Sequence, residues 1–466
     1  MTRTIETDYL IIGAGAMGMA FTDALIDHAD VHVTLVDRRH AAGGHWHDAY
    51  PFVQLHQASV FYGVASTQLG TGEVQQTGPE AGLQVRARSP EIRTYYDDIL
   101  QRRFVGSGRV KFLGGHQHIQ RDGRQLVTSL VSGETVEVHA RRRVVDATYL
   151  APTIPATTPP PFGVAESVRV VSINDLARLD EAPSEFVIVG SGKTATDGIV
   201  WLLANGVPQD RIVWVRPRDP WMLNRAMVQP DPAVALGLAA DTMSAAIGAR
   251  SPEELFLNLE AVGVMMRIDR EVVPTMAKAP TLGRWELELL RSIERVVRMG
   301  HVKHISEDEI VLERGSTPLL PGTLVVHCAA SGLRYPPMVP IWGTDMIRLQ
   351  TIRAGFPCFC AALAGLVEAI RDDDRDRNRL CPPNTLPDTP SNWAEMQFRG
   401  IQASRAYGAE PDIAAWANQC ALNPARVTPV QAADPAVVAA SKRLAGVAQS
   451  GLERMAALAG LSVEGR

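Results

Sequence analysis

A glycine-rich turn that occurs twice constrains this chain more than anything else in it. Gly13-Ala14-Gly15-Ala16-Met17-Gly18 follows the apolar run Tyr9-Leu10-Ile11-Ile12. Gly190-Ser191-Gly192-Lys193-Thr194-Ala195 follows Phe186-Val187-Ile188-Val189. Each predicts a strand, a tight turn and a helix whose free N–H groups hold a pyrophosphate. Two such units in one chain predict two nucleotide cofactors that meet, with hydride passing between them.

Composition narrows the setting. The chain has 466 residues, enough for two or three domains, and 46% of them are hydrophobic. A net charge of −5 gives no reason to expect nucleic acid as a partner. The first apolar run is too short for a leader, and no stretch is long enough for a membrane span. Cys328, Cys358, Cys360, Cys381 and Cys420 form no Cys-x-x-Cys and no framework spacing, which suits a reducing cytoplasm. No metal-ligand spacing is present. A homodimer is the base-rate expectation for an enzyme of this size.

Periodicity places strands at 8–13 and 31–37 around a helix at 15–27, and a second such unit at about 186–216. The proline-rich run Pro152 to Pro161 reads as a stiff linker and a domain boundary. Residues 231–300 read as mostly helical, with Trp285, Leu289, Ile293 and Val296 as an apolar stripe. Cys358 and Cys360 read as packing residues in a helix over 358–371. The alanine-rich tail reads as helical.

At the first turn, Gly13 allows the sharp bend, Gly15 lets a pyrophosphate approach, and Gly18 lets helix and strand pack closely. Asp37, ending the next strand, suits ribose hydroxyls. This fingerprint does not choose between FAD and NAD. The residues that follow are more specific: Gly43-Gly44-His45-Trp46, then Tyr50-Pro51. This run resembles the flavin-containing monooxygenase family, the class B flavoprotein monooxygenases. The resemblance implies FAD at the first site, with Gly44 at its pyrophosphate and Trp46 close to the flavin.

At the second turn, Gly190 and Gly192 hold the bend and close-approach positions, and Ala195 the third. Gly190, Gly192, Thr194 and Asp197 follow the family's second motif, from which Ala195 departs. Arg216-Pro217-Arg218 ends the next strand. An arginine there pairs with a ribose 2′-phosphate, so NADPH is preferred over NADH, with Arg218 as reader beside Arg216. Lys193 also reaches toward the phosphates.

The family architecture implies an α/β fold with two Rossmann-like dinucleotide-binding domains. The FAD domain, 1–160 and 305–380, is split by an NAD(P)-binding domain, 161–304, that carries a helical insertion. A helical extension covers 381–466. Two crossings with an Ala-Thr-Gly-like end are implied, at Asp146-Ala147-Thr148 and at His327-Cys328-Ala329-Ala330-Ser331-Gly332. The family's Phe-x-Gly-x-x-x-His signature is not matched: Val171 stands where the histidine belongs, before Ser172. A flavin-side asparagine is absent too. Gln57 is the amide nearest that place and His56 the nearest acid or base, so these two are the candidate catalytic residues.

The resemblance implies an NADPH- and FAD-dependent monooxygenase. It would use O₂ to form a flavin C4a-hydroperoxide and oxygenate an N, S or carbonyl centre of a small molecule. Two alternatives stay open: a flavin-dependent NAD(P)H reductase or oxidase, and a non-catalytic flavin-binding redox sensor. A dithiol-using reductase fits poorly, because no cysteine precedes Cys328.

Overall fold

The two glycine turns organise two separate sheets, each with parallel strands at its centre. The computed structural model describes residues 4–461 apart from 331, 333 and 354. Ser331 of the second expected crossing and the last five residues of the extension therefore lie outside the described residues. In the first unit, β1 (Thr4–Ile12) leads through the turn into α1 (Ala16–His28) and on to β2 (Val33–Asp37). Then come α2 (Ser89–Asp98), β3 (Val110–Gly114), β4 (His116–Arg121), β5 (Arg124–Ser129) and β6 (Thr135–Asp146). The sheet runs β3-β2-β1-β6-β5-β4. The first four strands are parallel, with Ile12 level with Val36 on one side and Asp146 on the other. Every residue of β2 is buried, as a parallel strand covered on both faces requires. β4 and β5 form a hairpin closed by Asp122-Gly123, both at positive φ (51° and 76°), the chemistry of a tight two-residue turn.

The second unit follows the proline linker. It contains β7 (Gly163–Val164), β8 (Val170–Ser172), β9 (Glu185–Val189), α3 (Lys193–Ala204), β10 (Ile212–Val215) and β11 (Trp221–Asn224). Next are α4 (Pro232–Ile247), α5 (Pro252–Ala261), β12 (Met265–Arg267), β13 (Thr281–Leu282), α6 (Arg284–Arg291) and β14 (Val296–Val297). β15 (Val302–Ile305), β16 (Glu309–Leu312), β17 (Gly315–Pro318) and β18 (Thr323–His327) complete it. The main sheet, β14-β10-β9-β18-β8, is parallel throughout. Its central strands β9, β10 and β18 are buried at every position.

Two expectations need correction here. The helical stripe through Val296 breaks: α6 ends at Arg291, and Val296-Val297 pair with Trp214-Val215 as an edge strand. Two adjacent β-branched residues gain more from that pleated edge than from a further helical turn. The first unit does not resume at 305 either. β15 and β16 pair with β7 and β17, and β18 sits inside the second main sheet.

The return comes later, at β19 (Ile347–Arg348), which pairs with β6. The two crossings lie side by side, Thr153 N donating to Gly332 O (2.8 Å) and the Tyr149 hydroxyl to Pro337 O (2.7 Å). α7 (Pro357–Ile370) then packs on α1; a Cβ on Gly365 would lie 2.5 Å from Phe21 O. A short helix, α8 (Asp374–Leu380), follows, and the extension is helical, as expected: α9 (Pro390–Gly408), α10 (Pro411–Gln419), α11 (Pro429–Ala432) and α12 (Pro435–Leu458). α12 and α9 close over α4 and α5 around Trp221, Met243, Phe256, Trp393 and Met455. Proline at the first turn and a capping side chain start most of these helices; Asp231, Ser251, Thr389 and Asp434 each accept a helix N–H.

Gly451 marks the α12–α4 crossing, since a Cβ there would lie 2.5 Å from Met243 Cβ. Gly451→Val should destabilise the protein by about 1–3 kcal/mol through overpacking. Gly446→Ala, on the same helix with open space around it, should stabilise it by about 0.5–1 kcal/mol. Urea unfolding of the two variants checks both signs.

Candidate functional site

The first turn is built for close approach. Gly43 N donates to Ala14 O (2.9 Å), which brings Gly44 over the turn. A Cβ on Gly44 would lie 2.9 Å from Gly15 Cα, and one on Gly15 would lie 3.6 Å from Gly44 Cα. Gly13 has φ +101°, and a Cβ on Gly18 would meet Gly13 O at 1.8 Å, so neither tolerates a side chain. The Asp37 carboxylate is buried and braces the turn, accepting from Ala14 N (2.7 Å) and Arg39 N (2.8 Å). Its remaining lone pairs are free for a ribose hydroxyl. Gly15 caps α1 without a side-chain hydrogen bond. Trp46 stands next to this turn but belongs to the core: its indole N–H donates to the Tyr62 hydroxyl (2.7 Å).

The second turn repeats the plan. Gly190 has φ +132° and backs onto Cys328 O, 2.8 Å from its would-be Cβ. Gly192 caps α3 without a side-chain bond and has open space where a Cβ would lie. Thr194 follows in the first turn, half-buried. Lys193 departs from expectation. It is buried, and its ammonium pairs with Asp197 on the next turn and with Glu286 of α6 (3.5 Å) rather than facing the turn.

The arginines after β10 part company. Arg218 is tied to Asp388 (2.8 Å) and Thr275 O (3.1 Å), so it does not stand free as a phosphate reader. Asp388 lies in the C-terminal extension, where sequence offered no hint of a partner. Arg216 is buried and 3.2 Å from Asp219, with its guanidinium 4.6 Å from the Trp214 ring centre. Its Nε and Nη1 have no hydrogen-bond partner among the described residues. Burial holds its pKa down at about 10. It lines a cavity of about 640 Å³ with Asp269, Arg270, Arg291, Glu294 and Arg298, beside the carboxyl ends of β10 and β14. Ligands of open α/β sheets bind at such ends.

Between the two turns runs a buried chain of charges. The Tyr50 hydroxyl, from the loop after Gly44, donates to Asp197 of α3 (2.6 Å). Asp197 pairs with Lys193, Lys193 with Glu286, and Glu286 with Arg225 (2.6 Å). Arg225, 1% exposed, also pairs with Glu80, and Arg86 closes the chain on Glu80 (3.0 Å). Arg225 Nε and the Thr281 hydroxyl both donate to His56 O. Three cations thus face three carboxylates. Burial alone would raise the Glu286 carboxyl; Lys193, then Arg225 and the Gly283 N–H, reverse this and hold it at about 2.

The candidate catalytic pair sits on this loop. The His56 ring is exposed but flanked by protein, and desolvation followed by the charges of Lys193, Arg225 and Arg86 lowers its pKa to about 4. Against the expectation of a histidine that changes charge near neutral pH, these surroundings favour the neutral imidazole. The Gln57 side chain is half-buried and makes no hydrogen bond among the described residues. No group of three or more His, Cys, Asp or Glu that could hold a metal occurs among the described residues. No helix there is long and apolar enough to cross a membrane.

Sequence reasoning missed Glu80, Arg86 and Glu286. Glu286 carried a signal, because Gly283-x-x-Glu286 is a helix start whose Glu accepts from Gly283 N (2.6 Å). Glu80 carried none for its tie to the second unit: Arg86 is six positions away, but Arg225 and Trp285 are 145 and 205 positions away.

Two sheets with parallel cores, each opened by an uncapped glycine turn, define an α/β fold of two Rossmann-like units. Residues 11–65 match a family model described as an NAD(P)-binding Rossmann-like domain. The chain is 39% identical over 424 residues to "Uncharacterized protein Rv2000" of Mycobacterium tuberculosis and, equally, to "Uncharacterized protein Mb2023" of Mycobacterium bovis. The match covers 90% of this chain and 78% of theirs, and the chain belongs to their family. Among solved structures it is similar to a cyclohexanone monooxygenase from Rhodococcus sp. Phi1 bound to NADP⁺, with 13% identity, 96% of this chain and 98% of that one covered, and a TM-score of 0.48. It is also similar to the bacillithiol disulfide reductase of Bacillus cereus, with 12% identity, 79% and 100% covered, and a TM-score of 0.46. The fold assignment rests on the chain's own sheets rather than on these scores.

Glu286 makes a pH prediction. Its folded pKa, about 2, lies below its ordinary 4.5. Its contribution to stability is therefore full above about pH 4.5 and fades as pH falls toward 2. Urea unfolding should show a steeper acid loss in the unaltered protein than in Glu286→Gln. Arg225→Ala, which leaves three buried carboxylates facing two cations, should cost about 3–5 kcal/mol at neutral pH; a loss under 1 kcal/mol in the same assay would rule the network out as a structural tie.

Proposed function

We propose that this protein is an NADPH- and FAD-dependent oxidoreductase that acts as a monooxygenase on a small molecule. One observation carries the reading: two uncapped glycine turns from separate sheets are joined by the Tyr50–Asp197 hydrogen bond. A flavin on the first turn and a nicotinamide on the second would thus share one junction. When bound, FAD supplies hydride acceptance and reaction with O₂.

The chain's own residues fit both groups. Gly15 and Gly44 leave backbone surface for the flavin pyrophosphate, and Asp37 offers an acceptor to its ribose. The space over Gly192 takes the nicotinamide pyrophosphate at the positive end of α3. Arg216, with two unpaired N–H-bearing nitrogens, would read the 2′-phosphate in the place first given to Arg218. Gln57 and the neutral His56 each present a hydrogen bond to the reacting centre, and neither carries charge there. The run Gly43-Gly44-His45-Trp46 with Tyr50-Pro51 favours oxygenation. Val171 in the place of the family's histidine favours the second reading, a reductase or oxidase that transfers no oxygen. A dithiol mechanism is disfavoured. All five cysteines are buried, and burial pushes the Cys358 and Cys420 thiols up to about 12.

The test uses the purified protein. FAD should be retained, be reduced by NADPH without oxygen, and re-oxidise on admission of O₂ in two phases, with hydrogen peroxide released only in the second phase when no substrate is present. Single-phase re-oxidation with stoichiometric peroxide would establish the reductase–oxidase reading instead. Gly15→Val should abolish FAD retention, and retained FAD would sink the first assignment. Arg216→Ala should weaken NADPH roughly tenfold or more, as loss of a charge-assisted bond does, while leaving NADH nearly unchanged. Arg218→Ala should affect both nucleotides alike.

A further inference from the structure

Lys193 is placed against three ordinary preferences of a helix. It is a cation in the first turn of α3, beside the positive end of the helix dipole. It precedes its acid by four positions, the less favourable order for such a pair. It is also only 8% exposed, where an unpaired charge is costly. Asp197 and Glu286 offset these costs by drawing the ammonium away from the helix start. Side chains lean toward the N-terminus of their own helix, so the uncapped turn at Gly192 is within this side chain's natural direction. An anion there would satisfy the dipole and the lysine together.

We propose that Lys193 is a cofactor-responsive latch: a dinucleotide phosphate at the start of α3 draws its ammonium off Asp197 and Glu286, and Asp197 passes the change to Tyr50 on the flavin side. This rests on the reading of the second turn as a nicotinamide nucleotide site. The two acids are left unequal by the move. Glu286 keeps Arg225 (2.6 Å) and Gly283 N (2.6 Å). Asp197 keeps one hydrogen bond, from the Tyr50 hydroxyl (2.6 Å). The electrostatic change therefore falls on the Tyr50–Asp197 bond. Tyr50 also packs on Phe52 (4.8 Å), which stacks on Trp201 of α3 (4.7 Å), so the same helix carries the change by contact. Lys193 acts through its neighbours and is a positioning residue.

The experiment titrates NADP⁺ into the oxidised, FAD-loaded protein, reading affinity by calorimetry and the flavin difference spectrum by absorbance. Unaltered protein should bind NADP⁺ and show a flavin difference spectrum. The double variant Lys193→Met/Asp197→Asn, which keeps the buried cluster neutral, should bind NADP⁺ about tenfold more weakly, equivalent to about 1.4 kcal/mol. Tyr50→Phe should keep its affinity within about threefold and lose most of the difference spectrum. Unchanged affinity in the double variant overturns the latch. A full difference spectrum in Tyr50→Phe, or none in the unaltered protein with NADP⁺ bound, overturns the transmission. If unaltered, FAD-loaded protein binds neither NADP⁺ nor NAD⁺, the reading of the second turn fails, and the latch with it.

Discussion

The guanidinium of Arg225 is the contact on which the two-unit arrangement depends. It is buried and meets Glu80 and His56 O from the first unit's long loop, and Glu286 from the second unit's α6. A buried ion costs several kcal/mol unless its partners are close and complete. Here the partners come from two separate segments, so the charge is satisfied only when the segments are together. Gln229 adds a neutral tie, accepting from Gln84 N (2.9 Å) and donating to Arg225 O (3.0 Å). The loop over 54–86 is therefore fastened to the second unit, and the position of His56 and Gln57 follows from it.

The helices differ in how they begin. α4, α5, α9 and α12 start with a capping side chain, Asp231, Ser251, Thr389 and Asp434, while α7 and α10 start without one. The two that follow glycine turns start at Gly15 and Gly192 with none. The first N–H groups of a helix have no partner within it, so an uncapped start is a standing demand for acceptors. What sets Gly15 and Gly192 apart from the equally uncapped starts at Phe356 and Glu410 is the glycine itself, which leaves backbone surface open beside those N–H groups.

The C-terminal extension does more than cover surface. Its Asp388 holds Arg218, and its α12 and α9 enclose Trp221, which lies five residues after Arg216. The strand after the second nucleotide turn is thus set from outside the unit, and that setting decides which arginine faces the cavity. Arg216 lines it, and its Nε and Nη1 are buried without a partner because Asp219 pairs only its Nη2.

Local order was legible in the sequence. The glycine turns, the flanking strands, Asp37 at the end of β2 and the helical tail all follow from patterns a few residues long, where backbone sterics and periodicity dominate. Val296-Val297 misled, because an amphipathic stripe continued past the place where a strand edge was available to pair with. The roles of Lys193 and Arg218 misled for a related reason. A charged side chain takes whichever opposite charge the fold brings nearest, and Glu286 and Asp388 lie 93 and 170 positions away. So the sequence by itself determined two nucleotide-type turns and their backbone chemistry. Only the tertiary structure decided which cations face a ligand and which are paired, since burial and Coulomb energy depend on distance in space and not along the chain.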